Sequence, residues 1–300
     1  MRAVVFDRFG GPEVLRTTEL PDPAPGPGQV RVGVHAAGVQ PFDVSYRQGA
    51  MTWAPVTFPQ QLGQEYSGVV DLLGEGVTEP AVGTAVLGSA MFRGHATSLV
   101  VDAATVVVKP PGLDLSTAAG LVAASQTASG ALLELGVGPA DVLLVHAAAG
   151  SVGTVATQLA RRAGAMVIGT ASPANHDYLR ELGAIPVAYG DGLVAAIRAL
   201  GHRVSVALDA AGGEAIAQSV ALGVAPERVG TIVDDRAAER HGARVVRAGR
   251  SPERLAEVVA LAGRGEVVMP VRVFPFDRVA EAHAAVESRH GRGKVVLTMR

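Results

Sequence analysis

Three hundred residues without a single cysteine exclude disulfides, thiolate catalysis and every cysteine-ligated zinc or iron–sulfur centre. With 48% hydrophobic and 18% charged residues, the composition is that of a folded chain with a substantial core and excludes general disorder. A net charge of −2 gives no basic field to recruit nucleic acid, no apolar run reaches the roughly 18 residues of a spanning helix, and MRAVVFDRFGGPEV has no signal-peptide core; a cytoplasmic protein acting on a small molecule is expected.

In chain order, the first 111 residues carry 11 of the 18 prolines. They break into short strand-like runs, RAVVF, QVRVGVHAAG, SGVVDLL, TSLVV and TVVVK, which predict a small β-rich domain. PDPAPGPGQ reads as a stiff surface connection. After Pro111, LDLSTAAGLVAASQTASGALLELG predicts a long helix. From 141 onward, DVLLV, AMVIGT, AIPVAY, VSVALDA, RVGTIVD and ARVVRA alternate with helix-period segments. That alternation predicts an α/β fold with a doubly wound parallel sheet covered on both faces. The tail after Pro270 holds a helix and a last strand and reads like the first region. The expected division is 1–118, 119–265 and 266–300, with the last piece returning to the first domain.

HAAAGSVGTVATQLARRAGAMVIGTASPANH, beginning at His146, points most directly to a ligand. A strand runs into a turn, Gly150 and Gly153 stand three apart, and Val152, Val155, Ala156, Leu159, Ala160 and Ala163 fall on one helix face. Strand, glycine turn and helix N-terminus form an anion site, because unpaired backbone amides and the helix dipole converge there. The pattern is A-x-x-G-x-x-G with Ala147 in the first glycine position, so Ala149, Gly150, Ser151, Val152 and Gly153 are expected to hold a dinucleotide's diphosphate. The alternative is that both glycines serve only helix–sheet packing.

The second strand ends in Thr170, Ala171 and Ser172, with no acid before Asp177. A carboxylate at the strand end would contact ribose hydroxyls and repel a 2′-phosphate, so its absence permits NADPH. Ser172, Asn175 and His176 are candidates for that phosphate, His176 being alternatively a solvated helix-start residue. One hydrogen bond to a charged group contributes about 1.5–3 kcal/mol, enough for a preference without an arginine. Asp209–Gly213, including Ala210, and Thr231–Asp234 end later strands and are expected cofactor walls.

Residues 39–58 contain Phe42, Tyr46, Trp53 and Phe58, four of the 12 aromatics, while none occurs from 93 to 177. They either line an apolar pocket for a flat substrate or fill a small core. Asp43 and Arg47, four apart, read as an ion pair fixing the same loop. His146 reads as a cleft-lining or structural residue, and His35 and His95 receive no role.

MRAVVFDRFGGPEVL, LGQEYSGVV, VHAAAGSVG, ELGA and RGKVVL together resemble the zinc-independent, quinone-oxidoreductase-like branch of the medium-chain dehydrogenase/reductases, over essentially the whole chain. The resemblance implies a GroES-like β-barrel domain, a Rossmann domain and a C-terminal return to the first. It implies hydride transfer from NADPH to a quinone, enone or enoyl thioester, and a homodimer. It places Thr127 near the nicotinamide, although a helical threonine can also bond back to a carbonyl. It favours the pocket for Phe42 and Tyr46. Zinc-dependent relatives carry cysteine near 40 and a His-Glu pair near 64–65; here stand Gln40, Gln64 and Glu65, which do not make a zinc site. No lysine stands near 175, where relatives often place one for the 2′-phosphate.

The expected activity is therefore NADPH-dependent reduction of a quinone or α,β-unsaturated carbonyl. Gln40, Tyr46 or backbone amides would stabilise the oxyanion, and Tyr46 or water would be the proton donor. On that expectation Tyr46→Phe slows turnover at least about tenfold. Phe42, Trp53 and Phe58 are the candidate substrate-binding residues, and no metal is expected. The alternatives are an enoyl-thioester reductase or reductive cyclase acting on a polyketide-type intermediate, and a nucleotide-binding protein without turnover.

Overall fold

The computed structural model describes residues 1–289 and 291–299. Contacts divide the chain into two units, Met1–Ala123 with Leu255–Arg300, and Ala124–Arg254. The divisions fall inside the helices Leu115–Glu134 and Pro252–Gly263, each shared by two units, whereas the sequence placed them after 118 and 265.

In the first unit, the strand Gln29–Val39 is the centre of the larger sheet. It pairs antiparallel with Glu65–Leu73, Ser98–Asp102 and Lys294–Thr298. Alternation explains its place: Val30, Val32 and Val34 are buried while Arg31, Gly33 and His35 are half-buried. The last strand is thus stitched to an early one. Val271–Pro275 runs parallel to it, with the helix Val279–Glu287 between them in sequence. Val4, Val32, Tyr66, Val86, Phe274, Phe276 and Leu297 meet in the core. TVVVK contributes only the short strand Val107–Val108, because Ala103–Thr105 turns first and the Thr105 hydroxyl donates to Asp102 O at 2.8 Å.

The second unit holds six parallel strands in the order Ile185–Ala188, Met166–Ala171, Val142–His146, Val206–Asp209, Val229–Thr231 and Arg244–Val245. The chain starts in the middle, winds to one edge, returns and winds to the other. Leu143, Leu144 and Val145 are fully buried, as a strand covered on both faces requires, and each such side chain contributes about 1.5–3 kcal/mol of burial. Of the expected face of the helix Ser151–Arg162, Val155, Ala156 and Ala160 are buried, but Val152 and Leu159 are half-buried and Ala163 is exposed; Gly153, Thr154, Thr157 and Gln158 are buried as well.

Candidate active site

The strand order reverses between Val142–His146 and Val206–Asp209, and ligands of such sheets bind beyond the carboxyl ends at that reversal. There Gly150 begins the helix Ser151–Arg162 with φ −73° and ψ 172°, and no side chain caps its first amides. The two glycines meet different demands. A Cβ on Gly153 would lie 2.4 Å from Ala147 O and 2.6 Å from Ala148 Cα. A Cβ on Gly150 would have only Ala147 O near it, at 3.3 Å. Packing therefore explains Gly153 but not Gly150. Ala147 takes φ 57°, the left-handed conformation for which glycine is suited. Its amide donates to Thr170 Oγ1 at 3.1 Å, and Ala148 N donates to Thr170 O at 2.9 Å. Thr170 thus clamps the turn.

At the end of Met166–Ala171 stand half-buried Ser172, Asn175 and His176. Asn175 Nδ2 donates to Ser172 Oγ at 3.4 Å, and His176 Nε2 lies 3.4 Å from Ala171 O. Asp177 is almost fully exposed and paired with Arg180. Buried Asp209 ties the next two strand ends together. Its Oδ1 accepts from Ala211 N and Gly212 N, both at 2.8 Å, and its Oδ2 accepts from the Thr231 hydroxyl at 2.7 Å. Thr231 Oγ1 also accepts from Val233 N and Asp234 N, so this hydroxyl shapes the wall. His146 pairs in register with Asp209 and is held down to about 4 by burial, against the pull of that carboxylate. Its Nε2 lies 2.9 Å from Ser219 Oγ, whose hydrogen goes to Ala215 O at 2.8 Å, so the imidazole donates. Thr127 is half-buried in Leu115–Glu134.

In the first unit, Gln40 precedes the helix Pro41–Arg47 and donates through Nε2 to Gln64 Oε1 at 3.0 Å. Gln64 in turn donates to Met91 Sδ at 3.3 Å. Tyr46 departs from the expectation. It is 1% exposed, stacks on Phe92 with centroids 4.3 Å apart, meets Phe6 edge-on and donates its hydroxyl to Pro55 O at 2.7 Å. Its only hydrogen is thus committed inside a core that includes Leu62 and Ala54. Tyr46→Phe is now expected to cost stability, about 1 kcal/mol, and to leave turnover within about twofold. Parallel thermal-unfolding and rate measurements check this, and a tenfold slower enzyme of unchanged stability would restore the catalytic reading. Phe42 is half-buried against Tyr46 and Trp53, Trp53 is 69% exposed, and Phe58 packs on Phe6 and Phe9.

The Asp43–Arg47 pair is corrected. Arg47, fully buried, turns to Glu287, which also accepts from Gln48 Nε2 at 3.1 Å. Asp43 Oδ2 instead accepts from the Gln40 amide at 3.0 Å, and burial pushes its carboxyl up to about 7. Local spacing suggested the pair, but the partner lies 240 residues away. Sequence reasoning also missed Lys294, whose ammonium pairs with buried Glu65; Glu65 Oε2 accepts from Ala123 N at 2.7 Å. A lysine inside the apolar strand GKVVL was the available signal. With Gln40 bonded to Gln64 and Glu65 committed to Lys294, these side chains do not fit a zinc ion. Among the described residues, no group of three or more His, Asp or Glu is placed to hold a metal, and no helix is long and apolar enough to cross a membrane.

Comparison with known proteins bears on this arrangement. Residues 26–149 match the family described as alcohol dehydrogenase GroES-like domain, and residues 182–297 match the one described as zinc-binding dehydrogenase. The quinone oxidoreductase of Coxiella burnetii is 30% identical, with a TM-score of 0.90 over 100% of this chain and 99% of that one. The pikromycin polyketide synthase component PikAII of Streptomyces venezuelae is 36% identical over 94% of this chain but only 8% of its own length. The quinone oxidoreductase of Sus scrofa is 35% identical over 57% of this chain and 53% of its own. A glycine turn at the strand-order reversal, a GroES-like β unit and similarity along the full length of a quinone oxidoreductase place the chain in the medium-chain dehydrogenase/reductase family of oxidoreductases, in its quinone-oxidoreductase-like branch.

Proposed function

We propose that the protein is an NADPH-dependent reductase that passes hydride to a quinone or an α,β-unsaturated carbonyl without a metal, working as a cytoplasmic homodimer. The observation that supports this reading is the run of first-turn helix amides after Gly150 that no side chain caps, at the reversal of strand order. Ala149, Gly150, Ser151, Val152 and Gly153 would hold the diphosphate, with Thr170 fixing the turn. Ser172, Asn175 and His176 would face the 2′-phosphate, where no carboxylate opposes it. The turns at Ala210 and Thr231 would wall the nucleotide, and Thr127 would lie near the nicotinamide. The bound cofactor supplies the hydride. Phe42, Trp53 and Phe58 would flank a flat acceptor. As the β-carbon accepts the hydride, charge grows on the acceptor oxygen, and the Gln40 amide would donate to it. Solvent would complete the proton balance, since the Tyr46 hydrogen is engaged.

NADPH titration followed by an oxidation assay with 1,2-naphthoquinone and a crotonyl thioester tests the reading. Tight binding with oxidation by at least one acceptor is expected. Binding without any oxidation would instead indicate a nucleotide-binding protein without turnover. A second substrate class, the enoyl thioester of a polyketide-type intermediate, is favoured by the 36% identity to PikAII along 94% of the chain. Faster turnover of the thioester than of the quinone would select it.

A further inference from the structure

The polarity of the Gln40–Gln64 pair is set from outside it. A thioether sulfur accepts hydrogen bonds and donates none. Gln64 Nε2 lies 3.3 Å from Met91 Sδ, so the Gln64 NH2 faces the sulfur and its Oε1 faces Gln40. Gln40 must then present NH2 to Gln64, at 3.0 Å. Turning both amides end for end would set oxygen against sulfur, two acceptors in contact. The backbone of Gln40 is itself held, since its N–H donates to Asp43 Oδ2 at 3.0 Å and its carbonyl accepts from Asp43 N at 3.0 Å. Gln64 is 4% exposed and Gln40 half-buried, so an amide turned the wrong way would bury mismatched polar atoms.

We propose that Gln64, oriented by Met91, is a positioning residue that holds Gln40 as a hydrogen-bond donor. An NH2 carries two hydrogens; one goes to Gln64, and the other serves an acceptor oxygen. The pair is thereby matched to a substrate oxygen that gains negative charge, as an enone, quinone or thioester oxygen does on hydride addition, and mismatched to a group that must donate. This inference rests on the reductase reading, and its test separates the two.

The first readout needs no activity. The side-chain amide protons of Gln40, assigned by their loss in Gln40→Leu, are followed by NMR in the full chain. In wild type, one is expected to be shifted downfield and slow to exchange with water. Gln64→Leu should return it to the position of a free amide. The second readout is a cycle of kcat values with 1,2-naphthoquinone. Gln64→Leu should lower kcat about tenfold with the KM for NADPH unchanged, and should cost nothing further in a Gln40→Leu background. A Gln40 amide signal unmoved by Gln64→Leu, or an equal loss in the Gln40→Leu background, would overturn the proposal. If wild type reduces no acceptor, the reductase reading fails while the NMR result still decides how Gln40 is oriented.

Discussion

Gly150→Asp is expected to weaken NADPH binding at least about 100-fold, about 2.7 kcal/mol, while costing less stability than Gly153→Ala. Gly150 begins the helix Ser151–Arg162 with extended backbone angles that any residue adopts, and its Cβ position has one neighbour, at 3.3 Å. Aspartate is a better N-cap than glycine, which offsets that contact. The same carboxylate occupies the helix amides proposed to hold a diphosphate, and adds a like charge beside it. Gly153→Ala should behave in the opposite way. Its Cβ would stand 2.4 Å from a carbonyl oxygen and 2.6 Å from a Cα, both backbone, so strand and helix must part, which typically costs about 1–3 kcal/mol or more. Calorimetric titration and chemical denaturation of both variants check the contrast. If Gly150→Asp bound NADPH as wild type does, the turn would be a packing device and the nucleotide would have to bind elsewhere.

Acidification from pH 7 to 5 is expected to destabilise the protein steeply, by up to about 2.7 kcal/mol per pH unit. His95 and His146 are held down to about 4, chiefly by burial, and His283 well below its ordinary value by burial and by the neighbouring His95 and Arg47. His283 is fully buried, and neither ring nitrogen has a hydrogen-bond partner among the described residues; its ring meets that of His95 edge-on at 5.9 Å. For these depressed values the sign is fixed. Each imidazole contributes fully above its unfolded value near 6.5, and that contribution falls as the pH drops toward its folded value. Asp43 acts oppositely, because burial raises it to about 7: its contribution is complete in acid and falls as the pH rises from about 3.8 to 7. Near pH 5, three imidazoles gain a proton on unfolding and one carboxyl loses one, a net uptake of two. Urea midpoints between pH 5 and 7 measure the slope. His283→Leu should flatten it by about 1.4 kcal/mol per pH unit, and an unchanged slope would mean that this imidazole is not held neutral in the fold.

Most of the second unit was legible because its signals are local. A strand covered on both faces must be a continuous apolar run, and LLV at 143–145 is one. The A-x-x-G-x-x-G turn lies within a single stretch, and its position after that strand implied the helix start that Gly150 occupies. Where two local demands fell on one residue type, the sequence could not separate them. Gly150 and Gly153 are the same letter, but a Cβ would meet one tight contact at the first and a backbone clash at the second. The aromatic stretch failed similarly: Tyr46 and Trp53 read alike, but one is 1% and the other 69% exposed.

By itself, the sequence determined the order of strands and helices, the parallel sheet and the glycine turn at its centre, since each follows from residue type, period or short spacing. The tertiary structure decided every partnership across distance: Arg47 with Glu287, Glu65 with Lys294, Tyr46 with Pro55 O, and Gln40 with Gln64 and Met91. The reason is physical. A buried charge or amide must find a complementary group wherever folding brings one, and neither the identity of that group nor its distance along the chain is written in the residue's own neighbourhood.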